Sequence, residues 1–279
     1  MKILMLSSTF PYPPSRGGTQ VRTFNLLQYL SLRHHVILGT VRSPDVTDAQ
    51  IDALRQQVAE LAVFPNPQVP PQPPLVKGGL RLDPEPDGGF LPEPLNQGGF
   101  SEIIGKFHRF GRFLLSGTPP NVLSSYSQAM QNWADELVTA GKCDAVTCEH
   151  SVNEIYVRPE WRQKVLTVAN IHSSVWGTCR EMLATGTSEK PLRDRLNLPL
   201  LARYEKRYCS KFSRIVATTS TDREQLLELL SPAIPVQGKQ DFFVPPIDVI
   251  PNGVDLVNFP YRSIDPGGHT LIFAGAMNN

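Results

Sequence analysis

The chain has 279 residues, 41% of them hydrophobic, and 27 basic against 26 acidic side chains give it a formal net charge of +1. That composition supports the buried core of one large domain or two ordinary ones. It holds neither the basic block nor the repeated Arg and aromatic pattern that wraps nucleic acid, and nowhere do about 18 apolar residues run together to span a bilayer. The apolar start Met1 to Leu6 is too short for a signal core and lacks a small-residue cleavage site, so the expected location is the cytoplasm. Cys143, Cys148, Cys179 and Cys209 are irregularly spaced with no Cys-x-x-Cys pair, which reads as free thiols and not as a zinc or redox motif.

Residues 2 to 7 form an apolar strand, and Ser7-Ser8-Thr9-Phe10-Pro11-Tyr12-Pro13-Pro14 follows as a stiff loop. Val21, Phe24, Leu27 and Leu30 fall at helical spacing and predict a helix with those residues on its core face. Val36-Ile37-Leu38 makes a second strand. Ile51, Leu54, Val58 and Leu61 mark a second helix with Thr47 as its N-cap. Strand, helix and strand in alternation imply a parallel sheet.

Ten prolines between Pro65 and Pro94, with Gly-Gly pairs at 78–79, 88–89 and 98–99, then break the rhythm. Such a segment cannot bury a core, and residues 66–99 are expected to be a disordered insertion. The alternative is a ligand segment, with Pro70-Pro71-Gln72-Pro73-Pro74 docking in a polyproline II groove. Ile103, Ile104, Phe107, Phe110 and Leu114 are spaced as a helix, as are Met130, Trp133 and Leu137. Basic and aromatic residues mix over 107–115. This fits a helix packed on a sheet with snorkelling arginines, or one resting on a membrane surface.

The sheet resumes with strands at 145–147, 165–168 and 215–217, separated by helices around 174–185, 194–210 and 221–230. Residues 235–246 read as a second insertion before a last strand at 247–250. The fold class is therefore α/β, a Rossmann-like parallel sheet flanked by helices.

Ligands of open parallel sheets bind beyond the carboxyl ends of the strands. Those ends read Ser7-Ser8-Thr9, Glu149-His150-Ser151, Asn170-Ile171-His172, Thr218-Thr219-Ser220 and Asn252-Gly253, all polar. The loop Ser15-Arg16-Gly17-Gly18-Thr19 opens the first helix. Its two glycines would let a phosphate approach backbone N–H groups at the positive end of the helix dipole, with Arg16 beside it. The competing reading is a Gly-rich bend that only starts the helix.

His150 and His172 are the two histidines at strand ends on this edge. An imidazole there could hydrogen-bond a hydroxyl or a phosphate oxygen, and Glu149 could accept from hydroxyls. For both rings the alternative is an imidazole satisfied by local backbone. Glu149 and His150 are neighbours, so on an extended strand they would face opposite sides and form no ready acid and base pair.

The segment Ile247-Asp248-Val249-Ile250-Pro251-Asn252-Gly253-Val254-Asp255, followed by the apolar Leu271-Ile272-Phe273-Ala274-Gly275-Ala276, resembles the interdomain crossing of two-domain GT-B glycosyltransferases of the "glycosyl transferases group 1" (family 4) type. The opening Lys2-Ile3-Leu4-Met5-Leu6 with Gly17-Gly18, His150 after Cys143-Asp144-Ala145-Val146, and the run from Tyr204 to Asp222 resemble other stations of that family in the same order.

The resemblance implies an N-terminal, acceptor-side domain over residues 1–262, with 263–279 as the linker and first strand of a truncated donor-binding domain. It implies retaining, metal-independent transfer of a sugar from a nucleotide-sugar donor to a sugar, lipid or small-molecule acceptor. No cofactor beyond that co-substrate is implied, and no metal. His150 takes the catalytic position near the donor sugar; Arg16, Gly17 and Gly18 take the donor phosphates and acceptor; Glu149, His172, Asn252 and Gly253 line the cleft.

The family's basic pair and Glu-x7-Glu motif belong to the second domain, so the 279 residues alone are expected to turn over little or no nucleotide sugar. Two further readings compete. One is a non-catalytic interaction module derived from a truncated transferase. The other is a dinucleotide enzyme, which the missing Gly-x-Gly-x-x-Gly argues against. The cytoplasmic expectation includes contact with the inner face of the membrane through the 107–115 stretch.

Overall fold

A computed structural model describes residues 1–14, 17–66, 111, 113–115, 117–231 and 243–254, with isolated positions from 256 to 267. Seven strands form one sheet: β1 (Lys2–Ser7), β2 (His35–Arg42), β3 (Glu60–Pro65), β4 (Ala145–Glu149), β5 (Leu166–Ile171), β6 (Arg214–Ala217) and β7 (Ile247–Val249). Their order is β3-β2-β1-β4-β5-β6-β7, and every neighbouring pair is parallel. The α/β, Rossmann-like class follows from that order. Helices α1 (Gly18–Ser31), α2 (Asp48–Arg55), α3 (Pro120–Ser124), α4 (Gln128–Thr139), α5 (Val175–Ala184), α6 (Pro191–Cys209) and α7 (Ser220–Leu230) connect and cover the strands.

Alternation along the strands divides the core in two. Leu4, Leu6, Ile37, Val146, Cys148, Ala169, Ile171 and Ile215 face one side and pack with Met130 and Ala134 of α4, Tyr204 and Tyr208 of α6, and Leu226 of α7. Met5, Val36 and Leu38 face the other side, where they meet Phe24 and Leu27 of α1 and Ile51 and Leu54 of α2. The inner strands β2, β1, β4, β5 and β6 are buried from both faces, as a parallel sheet requires, while the edge strands β3 and β7 are only partly covered.

Three expectations need correction or fall elsewhere. Helix α2 has its N-cap at Thr47, in a capping box: the Gln50 N–H donates to Thr47 Oγ1 (3.3 Å) and the Thr47 N–H to Gln50 Oε1 (3.0 Å). It ends at Arg55, however, and Leu61 belongs to β3, paired with Leu38. Spacing at multiples of three or four cannot tell one long helix from a short helix plus a strand, and the open edge of β2 offers a full ladder to residues 60–65. Pro65 sits at the end of that edge strand, where its missing N–H costs nothing.

Val21 is 39% exposed, so the core stripe of α1 runs through Thr23, Phe24 and Leu27 and not through Val21. The insertion from residue 67 on, the helix over 103–110, residues 235–242 of the second insertion at 235–246 and the strand over 271–276 lie outside the described residues.

Gly39 in β2 lies under the Trp133 ring of α4, where an alanine Cβ would come within 2.5 Å of the ring atom Cζ3. The ring, tilted against Phe64 at 5.5 Å, is a rigid neighbour. Gly39→Ala is expected to cost about 1–3 kcal/mol by overpacking, read as a lower urea midpoint; an unchanged midpoint would mean that Trp133 swings clear.

Candidate functional site

The strand order reverses between β1 and β4: from β1 the chain runs outward through β2 and β3, and from β4 it runs outward the other way. At such a switch point the two connecting loops leave in opposite directions and open a crevice at the carboxyl edge. Ser7 to Thr9 stand at one lip, and Glu149 and His150 at the other. Asn153, buried in the 3-10 turn Ser151–Tyr156, ties the lips together. Its Oδ1 accepts the Ser8 N–H at 2.8 Å, and its Nδ2 donates to the Glu149 carbonyl.

Glu149 is fully buried. It shares a face of the sheet with Thr147, two residues back, and with Asn170, its register partner on β5. Glu149 Oε1 accepts from Thr147 Oγ1 (3.1 Å) and Asn170 Nδ2 (2.8 Å), while Oε2 is buried with no partner among the described residues. Burial pushes the carboxyl up to about 7, against the pull of the Thr147 and Asn170 bonds and of the Arg22 charge. Glu205 shows what a purely structural buried carboxylate looks like in this fold. At the start of α5 it accepts from Ser174 Oγ (2.8 Å), the N–H groups of Val175 (3.2 Å) and Trp176 (3.0 Å), and the Tyr208 hydroxyl (2.8 Å). Glu149 has no such complement.

His150 leaves the strand with φ 75°, the left-handed region that a side chain rarely occupies. Strict alternation with Glu149 therefore does not hold, and the imidazole turns along the edge of the sheet. Its Nδ1 accepts the Val152 N–H at 3.4 Å, which assigns the proton of the neutral ring to Nε2. Burial keeps the ring below its ordinary pKa. A backbone of this kind costs about 1–3 kcal/mol and persists where the surroundings enforce it. Here the His150 N–H is held by the Asn170 carbonyl at 3.0 Å.

His172, just past β5, meets His150 edge to face, with ring centroids 5.0 Å apart. Its Nδ1 lies 3.5 Å from Thr19 Oγ1, and its Nε2 is buried without a partner among the described residues. Burial first, then His150 and the Arg22 charge, lower it to about 4, so the ring is neutral at pH 7. Thr19, Arg22 and Thr23 are spaced by three and four and form one stripe of α1 above this edge. Thr23 is fully buried, its hydroxyl also without a partner among the described residues.

Gly17 is extended (φ 168°) and caps α1 without a side-chain bond. A Cβ on Gly17 or Gly18 would meet nothing within 4 Å, so neither packing nor backbone conformation within the described residues requires glycine there. Arg16 lies outside the described residues. Asn252 accepts from Arg22 at 2.8 Å, and Gly253 follows it, exposed.

The structure thus brings Glu149, His150, His172 and the start of α1 to one crevice, with Asn252 joined through Arg22. Arg22 and Asn153 escaped the sequence reading. Counting Val21 instead of Thr23 on the core stripe of α1 hid Arg22, and nothing local marks Asn153, whose role exists only because two distant loops meet. The charges and rings present suit hydroxyl groups: neutral imidazoles that donate or accept, and a carboxyl poised between forms. Among the described residues no three His, Cys, Asp or Glu side chains are grouped to hold a metal ion, and no helix is long and apolar enough to cross a membrane. A depression of about 520 Å³ beside Gln28, Tyr29, Leu32 and Gln57 lies at the far end of α1, away from these groups and without a charged side chain.

No family model and no curated protein matches the sequence. Among solved structures the chain is similar to UGT89C1 of Arabidopsis thaliana. The identity is 15% over 95% of this chain and 52% of that one, with a TM-score of 0.37. Against the complex with quercetin the figures are 13%, 92%, 53% and 0.36, and against the complex with UDP-L-rhamnose 12%, 78%, 44% and 0.35. The chain spans about half the length of these structures. Likeness this distant carries nothing about reaction or substrate.

Proposed function

We propose that the chain is the acceptor-side, N-terminal part of a nucleotide-sugar glycosyltransferase of the GT-B, group 1 type, with the domain boundary near residue 262. The observation that carries this reading is the His172 imidazole: a strand-end ring with a buried nitrogen that has no partner among the described residues, set beside Thr19 at the start of α1 and against His150. Each unpartnered polar atom buried at this edge costs about 1–3 kcal/mol unless something bonds it. A sugar ring brings hydroxyls that donate and accept at once, which is the complement of His172 Nε2 and Glu149 Oε2.

In this reading His150 and His172 hold donor-sugar hydroxyls and Glu149 accepts from one. The backbone N–H groups of Gly17 and Gly18, with Arg16, face the diphosphate, where a negative charge is favoured by the helix start. Retention of configuration, independence of metal, a cytoplasmic location and contact with the membrane surface belong to the same proposal. So does its requirement for a second domain to supply the remaining diphosphate donors, which makes binding a better readout than turnover.

NMR titration of the chain with a panel of nucleotide sugars tests the reading. The expected result is that one or more of them shifts the Gly17 and Gly18 amides and the His150 and His172 ring signals. Gly18→Val should abolish the amide response by blocking the close approach of phosphate. No shift at millimolar ligand, or shifts with NAD in place of nucleotide sugars, would overturn it.

A further inference from the structure

The reading above leaves Arg22 without a role, yet it is the one described side chain that joins the crevice to the segment following the last strand. Its guanidinium is half-buried. Nη1 donates to Asn252 Oδ1 at 2.8 Å and Nη2 to the Ile250 carbonyl at 2.9 Å, across 230 and 228 residues of sequence. The same charge acts on Glu149 and on His172. Three residues earlier on the same stripe, Thr19 reaches His172. We infer that Arg22 is a positioning residue: it clamps the Ile250–Asn252 segment to α1 and so fixes that segment and the His172 side of the crevice as one unit.

The geometry of the two bonds supports a clamp. Arginine presents parallel donors in a rigid fork, so a carbonyl and an amide oxygen two residues apart can both be held only if the backbone between them keeps one conformation. That backbone contains Pro251, whose fixed φ already limits it. The amide of Ile250 is in turn bonded to the Ala217 carbonyl of β6 at 2.9 Å. The segment is therefore held on two sides, by the sheet and by α1. Arg22 Nε is buried and unpartnered among the described residues, while each terminal nitrogen gives one N–H to the segment. Lysine, a compact donor on a flexible stem, lacks the planar fork that holds two acceptors in one fixed geometry.

The clamp is independent of what occupies the crevice; only the meaning of that occupant rests on the glycosyltransferase reading. Two substitutions in the 279-residue chain test it from opposite ends, without any substrate. Arg22→Gln removes the charge and the fork, and Asn252→Ala removes one acceptor and leaves the charge. The Ile250 amide, bonded to the Ala217 carbonyl, should exchange about tenfold faster with deuterium in both variants, with those of β4 and β5 unchanged.

The His172 ring, followed by NMR, should titrate at higher pH in Arg22→Gln, because a repelling charge is gone. It should also shift in Asn252→Ala, because the released guanidinium moves. Arg22→Lys should restore the His172 titration but not the protection of the segment. A merely structural bond would slow or speed exchange and leave the ring alone. An unchanged ring in Asn252→Ala, or unchanged exchange in Arg22→Gln, would overturn the inference. The glycosyltransferase reading fails separately, through the ligand titrations above.

Discussion

Glu149→Gln is expected to stabilise the chain at pH 8 by about 3 kcal/mol and to leave its stability unchanged near pH 4. Burial raises the folded-state pKa of this carboxyl from an ordinary 4.5 to about 7. Between those values the unfolded chain has already lost the proton that the folded chain still holds. Stability linked to Glu149 is therefore full below pH 4.5 and is lost as the pH rises towards 7, the reverse of a salt-bridged acid.

Glutamine keeps the acceptor that Thr147 and Asn170 use and carries no charge to desolvate. Urea midpoints of both proteins at pH 4 and pH 8 measure the effect. Equal midpoints at pH 8 would mean that water or an unseen cation reaches the carboxylate. Its place at the switch point of the sheet, beside two neutral imidazoles, suits the hydroxyl-binding role proposed above.

Much of the scaffold was legible because parallel strands write themselves plainly. The apolar run at 2–7, the short β-forming stretch at 145–147 and helices with hydroxyl caps such as Thr47 need no tertiary context. The strand at 60–65 was not legible. Its apolar residues continue the spacing of α2, and the deciding fact is the free edge of β2, which no local pattern reports.

The crevice divides in the same way. Glu149, His150 and His172 could be placed at one edge by knowing where strands end. That Glu149 has one satisfied and one bare oxygen, that His150 turns through a positive φ, and that Arg22 reaches residue 252 are products of long-range packing. Amphipathic spacing placed Phe24 and Leu27 of α1 on the core correctly, but Thr23, not Val21 two positions earlier, completes the buried stripe, and that leaves Arg22 at the crevice.

Beneath the crevice lies the largest single destabilisation expected. Lys211→Met should cost about 3–5 kcal/mol. Lys211 Nζ donates to the Glu154 carboxylate and, at 3.2 Å, to the Glu154 carbonyl. The Glu154 side chain is 2% exposed and that of Lys211 15%, so solvent screens the pair little. Tyr204 stands beside Glu154 in the same interior, its phenol pushed up by burial and then by the Glu154 charge. Methionine fills the lysine stem but leaves a buried carboxylate without a cation, and it is the stranded charge, more than the lost attraction, that costs stability.

A double variant, Lys211→Met with Glu154→Gln, should therefore recover most of the loss; a recovery of less than 1 kcal/mol would mean that packing of the lysine stem, and not the charge, dominates. Asn153 is the neighbour of Glu154 and bonds both Ser8 and the Glu149 carbonyl, so loosening the turn slackens both lips of the crevice. The His150 amide, held by the Asn170 carbonyl, should lose protection from exchange in the single variant and regain it in the double. The buried ion pair would then act as the footing of the site, fixing from below a backbone that His150 holds at a positive φ.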